Sequence, residues 1–167
     1  MATWGCEVDT PHDALLRVCR FNAAYAQAID SDALERWPGF FAEACLYRVT
    51  HAEAEAEGLP AGLIYADSRA MLEDRVAALR EANIYERQRY RHLLGMPLVQ
   101  VGEGGALQAE TPFLVVRIMA TGQSEVFASG AYHDRFVDDA AAGGLRLAER
   151  VVVCDSHSTD TLMALPL

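Results

Sequence analysis

The feature that most constrains this chain is a change of hydrophobic period at about Arg89. Upstream, apolar residues recur every three or four positions; downstream they recur at every second position almost to the end. The first regime predicts an amphipathic helix over residues 13–29 after a Thr10-Pro11 start, with Leu15, Leu16, Val18, Cys19 and Ala23 on its apolar side. A shorter helix is expected after a cap at Asp30 or Ser31, broken at Pro38, with Leu34, Trp37, Phe40 and Phe41 sealing one end of the core. Alternation over 45–50 suits a strand, 51–62 with Glu53, Glu55 and Glu57 reads as a solvated loop, and 63–66 as a second short strand. The pair Asp67-Ser68 then caps a third helix that turns Leu72, Val76 and Leu79 inward, turns Glu73, Asp74, Arg75 and Arg80 outward, and ends near Asn83.

The second regime predicts long strands at 89–101, 107–121, 125–137 and 145–157. The connections at 102–105, 121–124 and 138–144 are short enough for hairpins, so the strands should form an antiparallel meander. Helices followed by a meander give an α+β fold, with N-terminal helices packed on a long, strongly twisted, mainly antiparallel sheet that curls into a cone. The 167 residues suit one domain spanning 1–167, with no internal repeat.

Charge narrows the partners. All of the 14 cations are Arg, and against 24 acids they leave the chain at −10, a surface that repels a phosphate backbone. The exception lies between residues 69 and 91, where Arg69, Arg75, Arg80, Arg87, Arg89 and Arg91 outnumber Glu73, Asp74, Glu81 and Glu86. Such a window in an acidic chain reads as ion pairs or a subunit contact, because the planar guanidinium pairs with carboxylates bidentately. No run of about 18 apolar residues occurs, and Met1–Thr10 carries acids where a secretory leader would carry bases, so a soluble cytoplasmic protein is expected.

Candidates for chemistry are few. Cys6, Cys19, Cys45 and Cys154 are scattered without a C-x-x-C or Cys-x-His pair, so neither zinc nor an iron–sulfur cluster is expected on this chain. His12, His51 and His157 have no common ligand spacing. His133 and Asp134 are neighbours on a strand, point to opposite faces and cannot form a dyad. His92 could serve as a general base in a cone-shaped pocket if Asp67 orients it, with Tyr65 or Tyr90 as hydrogen-bond donor. Beside Arg91 it fits better as a hydrogen-bonding member of a charged cluster. Phosphate-cradling glycine motifs and a nucleophile elbow are absent.

One combination of segments is distinctive. A Tyr65-Ala66-Asp67 cap leads into the helix Met71-Leu72-Glu73-Asp74-Arg75-Val76-Ala77-Ala78-Leu79-Arg80, and a strand Arg89-Tyr90-Arg91-His92 follows. With Trp37-Pro38 before Phe40-Phe41, the strand Tyr47-Arg48-Val49-Thr50 and the apolar tail 161–167, this resembles the small, or beta, subunit of aromatic-ring-hydroxylating oxygenases over nearly the whole chain. The segments 21–26, 80–87 and 160–167 are similar to members that act on aromatic carboxylates.

The resemblance implies a cone fold like that of nuclear transport factor 2 and assembly with a large alpha subunit as an α3β3 hexamer. It also implies that the chemistry lies elsewhere: the alpha subunit would carry a Rieske 2Fe-2S cluster and a mononuclear Fe(II), a separate reductase would draw on NADH, and the product would be a cis-dihydrodiol. This chain would hold no catalytic, cofactor or metal residues and would be inactive alone. Its contribution would be subunit contacts, for which Arg75, Arg87, Arg89, Arg91, His92, Leu165 and Leu167 are the candidates; the tail could equally pack on its own cone. The competing readings are a free-standing cone-fold isomerase or dehydratase using His92 and Asp67, and a small-molecule-binding cone domain with neither chemistry nor an oxygenase partner.

Overall fold

The computed structural model describes residues 11–59, 62–81, 88–102, 106–139, 144–157, 163 and 165–167. Helix α1 runs Pro11–Asp30, followed by two short 3-10 turns at Leu34–Arg36 and Pro38–Phe40. Then come strand β1 (Phe41–His51), helix α2 (Ala52–Ala56), strand β2 (Ile64–Ala66) and helix α3 (Arg69–Glu81). The rest is strand: β3 Gln88–Leu94, β4 Leu98–Val101, β5 Leu107–Met119, β6 Ser124–Asp139 and β7 Gly144–Cys154.

One sheet holds all seven strands in the order β2-β1-β7-β6-β5-β3, with β4 also on β5. The antiparallel meander is β5-β6-β7, and β3 lies antiparallel against β5. The single parallel pair among the described strands, β1 with β7, joins the first strand of the chain to its last, which short hairpins cannot do. Three register shifts bend the sheet: Phe127 is the extra residue against Val115-Val116, Ala148 the extra residue against Arg135-Phe136, and β1 slips between Phe41 and Leu46. Helices α1 and α3 occupy the inner side of the curl, α1 against β3 and β4 and α3 against β1.

Several local expectations are corrected. The strand expected over 89–101 is two strands, because Pro97 withholds a donor and Gly95 crosses the ring of Pro112, whose missing N–H interrupts the facing ladder. The expected 51–62 loop begins with a short helix, capped where His51 Nδ1 accepts from the Ala54 N–H at 3.3 Å. The helix expected after Ser31 is two 3-10 turns separated at Trp37-Pro38. On α1 the buried stripe is Ala14, Val18, Asn22, Tyr25 and Ile29, whereas Leu16 is exposed. Strand β7 ends at Cys154, short of His157.

The core is unusually aromatic. Tyr25, Trp37, Phe41 and Tyr47 are fully buried and meet edge to face, with centroids 5.2–6.3 Å apart. Their polar ends are paired: Trp37 Nε1 donates to Tyr25 Oη at 2.8 Å, and Tyr25 Oη donates to the Leu167 carbonyl at 2.9 Å. The Leu167 N–H in turn donates to Tyr47 Oη at 3.1 Å.

Candidate functional site

Strand alternation carries Tyr132, Asp134 and Phe136 of β6 and Arg150, Val152 and Cys154 of β7 to the inner face. The centre of the cone is therefore occupied by an ion pair. Arg150 Nε donates to Asp134 Oδ1 at 2.8 Å and Nη2 to Oδ2 at 2.7 Å, with both side chains fully inaccessible. Asn22 of α1 bridges the layers, accepting from Arg150 Nη2 at 2.7 Å and donating to Thr111 Oγ1 at 3.0 Å. The guanidinium is held between two phenol rings, 4.1 Å from the Tyr25 centroid and 4.2 Å from that of Tyr132.

Burial drives the Asp134 carboxyl upward against the pull of Arg150. Burial also opposes the Arg150 charge, while the charge and hydrogen bonds of Asp134 act the other way and the guanidinium stays above its ordinary value. Burial likewise raises the phenols of Tyr25 and Tyr132, which keeps their hydroxyls protonated around the cation. Arg150, Tyr25 and Tyr132 thus fill the centre of the cone.

His92 does not use Asp67. Its carboxylate is Asp30, the last residue of α1, whose Oδ1 accepts from His92 Nδ1 at 2.6 Å while Oδ2 accepts from the His92 N–H at 3.0 Å. The side chain is fully buried, and Nε2 has no hydrogen-bond partner among the described residues. Asp67 is exposed, as is Tyr65, whereas Tyr90 is buried. The Asp30–His92 pair ties the end of α1 to β3, and both residues line one of the hollows beside it. Two hollows of about 630 and 550 Å³ flank Asp30, and neither is lined by Arg150, Tyr25 or Tyr132.

The remaining candidates separate by position. Arg75 donates to the Met163 carbonyl at 2.9 Å, and Leu165 and Leu167 are buried in the core, so these three hold the tail against the cone. Arg89 and Arg91 are exposed on β3, and Arg87 lies outside the described residues. Cys45 and Cys154 are buried free thiols, Cys19 is half-buried, and burial pushes the Cys154 thiol up to about 11. Among the described residues no three of His, Cys, Asp and Glu cluster as metal ligands, and no helix is long and apolar enough to cross a membrane. His133 is exposed and Asp134 buried, on opposite faces as their adjacency requires.

Sequence reasoning missed Asn22, Asp30 and Arg150. The signal for Arg150 was present, since it shares strand parity with Val152 and Cys154, but alternation alone does not say that an Arg in an apolar register finds a partner across the ladder.

A curled sheet closing over helices on an aromatic core defines the class: residues 13–151 match the family model of the SnoaL-like domain. Two beta subunits of the terminal oxygenase component of terephthalate 1,2-dioxygenase from a Comamonas species are each 59% identical to this chain over 152 residues, 91% of this chain and 97% of theirs. The anthranilate 1,2-dioxygenase small subunit of Burkholderia cepacia is 36% identical, covering 86% of this chain and 88% of its own. The crystal structure of a beta subunit assigned to an aromatic-ring-hydroxylating dioxygenase of Novosphingobium aromaticivorans superposes with a TM-score of 0.85 at 38% identity, over 95% of this chain and 100% of that one. This chain belongs to the beta subunits of aromatic-ring-hydroxylating dioxygenases.

Proposed function

We propose that the chain is the beta subunit of the terminal oxygenase component of a terephthalate 1,2-dioxygenase. The observation that carries this reading is the 59% identity over 97% of the length of both terephthalate relatives, against 36% for the anthranilate relative. The filled cone supports a non-catalytic part: Arg150, Tyr25 and Tyr132 stand fully buried where a free-standing enzyme of this shape would need a cavity. Chemistry then falls to the large alpha subunit, with its Rieske 2Fe-2S cluster and mononuclear Fe(II), fed by a separate NADH-dependent reductase. The complex is an α3β3 hexamer in the cytoplasm, and its product is the cis-dihydrodiol of terephthalate. Within it, the subunit contacts are made by the candidates Arg75, Arg87, Arg89, Arg91, His92, Leu165 and Leu167, of which Arg89 and Arg91 are exposed among the described residues.

The test is reconstitution. The chain is co-expressed with the large subunit of a terephthalate 1,2-dioxygenase, purified through a tag on this chain, and supplied with reductase, NADH and terephthalate. Equimolar co-elution of an iron–sulfur protein and formation of the dihydrodiol are expected. Turnover of any substrate by this chain alone, or a homo-oligomer that takes up no large subunit, overturns the reading.

A further inference from the structure

The outer face of the sheet, away from the helices, carries a continuous apolar patch. Register places Leu93 of β3 beside Leu114 of β5, and Arg91 beside Val116, which in turn meets Val126 of β6; Arg89 lies beside Ile118. Leu93 is 52% and Val126 65% exposed, and Leu114, Val116 and Ile118 are half-buried. Among the described elements, α1 and α3 pack on the inner side and α2 packs mainly on β1 and β7, so no described helix packs chiefly on this area. A monomeric protein rarely leaves neighbouring branched side chains of three adjacent strands in water.

The rim of the patch is cationic. Arg89 makes no ion pair or hydrogen bond with a described residue, and Arg91 comes only to within 3.8 Å of Asp30, whose carboxylate is already engaged by His92. Two guanidinium groups thus stand in solvent on a chain of net charge −10. Among the described residues this part of the face groups Arg89, Arg91, Leu93, Leu114, Val116, Ile118, Ser124, Val126 and Ser129, and the acid at its border, Asp155, accepts from Ser129 Oγ at 2.7 Å at the Leu114 end. The described carboxylate that a second copy would bring with the same surface is Asp155, already engaged by the Ser129 hydroxyl.

We infer that the outer face of β3, β5 and β6, centred on Leu93, Val116 and Val126 and edged by Arg89 and Arg91, is the docking face for the large oxygenase subunit. This rests on the function proposed above. The complementary surface on the large subunit has an apolar centre flanked by carboxylates, the arrangement in which apolar burial supplies affinity and the Arg–carboxylate pairs set orientation.

The experiment is co-expression with the large subunit, reading the bound fraction by native mass spectrometry and the affinity by titration of the separated subunits. Val126→Asp and the double variant Arg89→Glu/Arg91→Glu are compared with Leu63→Asp, an exposed position beside β2 at the far edge of the sheet. Each of the first two is expected to weaken association at least tenfold while its circular dichroism matches the wild type, and the third to change it less than twofold. Hydroxyl-radical footprinting of the unsubstituted complex is expected to protect Leu93 and Val126. Wild-type association with Val126→Asp and the Arg double variant binding equally well, or with Leu93 and Val126 unprotected, overturns the docking face and leaves the functional reading standing. Loss of self-association alone, with the large subunit still bound, assigns the patch to a second copy and also overturns it. Failure of the wild type to bind a large subunit overturns both.

Discussion

Removing the Arg150 guanidinium strands the Asp134 carboxylate in a site from which both side chains exclude water. Arg150→Met is therefore expected to destabilise the protein by about 3–5 kcal/mol, most of it the penalty of an uncompensated buried charge. Pairing it with Asp134→Leu removes that charge and should recover the larger part of the loss, because apolar groups of similar volume often replace a buried ion pair without net cost. Urea denaturation of the two variants measures the difference. If the single and double variants were equally unstable, the rings of Tyr25 and Tyr132 stacked on the cation would be the larger contribution. The parity of β7 made this residue legible as inward-facing; its partner and the Asn22 bridge come from two other elements, at sequence distances that no local pattern spans.

Elements are joined in this fold at a few specific places. Strands β6 and β7 approach so closely at Gly130 that a Cβ there would sit 2.0 Å from the Val153 carbonyl oxygen. Backbone on the other side cannot yield as a side chain would, so Gly130→Ala is expected to cost about 1–3 kcal/mol or more and to lower the thermal midpoint. Helix α3 is pinned to the first 3-10 turn by Arg80, which donates to Glu35 at 2.7 Å and to Asp32 at 2.9 Å. That hydrogen bond holds the exposed Glu35 carboxyl below its ordinary value of 4.5. A depressed carboxyl contributes stability above its unfolded pKa and loses it as pH falls through the folded one. Acid unfolding monitored by circular dichroism should thus show a smaller dependence on pH below about 4.5 in Glu35→Gln than in the wild type. These links explain why element type was more legible than element extent. The 3.6 and 2.0 periods mark α1, α3 and the long strands, whereas the break between β3 and β4 depends on Pro112, a residue of a different strand that meets Gly95 only in the folded sheet.

At the scale of the whole molecule, the tail closes the cone. Leu165 and Leu167 are buried, Arg75 holds the Met163 carbonyl, and the Leu167 backbone is bonded to Tyr25 and Tyr47. Leu165→Ala should cost about 2–5 kcal/mol, read as a lowered midpoint in chemical denaturation. An unchanged midpoint would mean that the tail packs on the cone without stabilising it. The centre is thus occupied by Arg150, and the tail is bonded over the Tyr25 and Tyr47 hydroxyls. That outcome fits a subunit whose work is contact.

By itself the amino-acid sequence determined the class of architecture, because hydrophobic period is a local property: helices first, alternating strands after. It also determined the family, through the segments 63–80 and 89–93, which carry the pattern in contiguous residues. Tertiary structure alone decided which carboxylate His92 meets, that Arg150 is bridged to α1 through Asn22, and that β1 runs parallel to β7. Each of these joins residues dozens of positions apart, and a pairing of that kind is set by how the curled sheet closes on α1, which no stretch of neighbouring residues encodes.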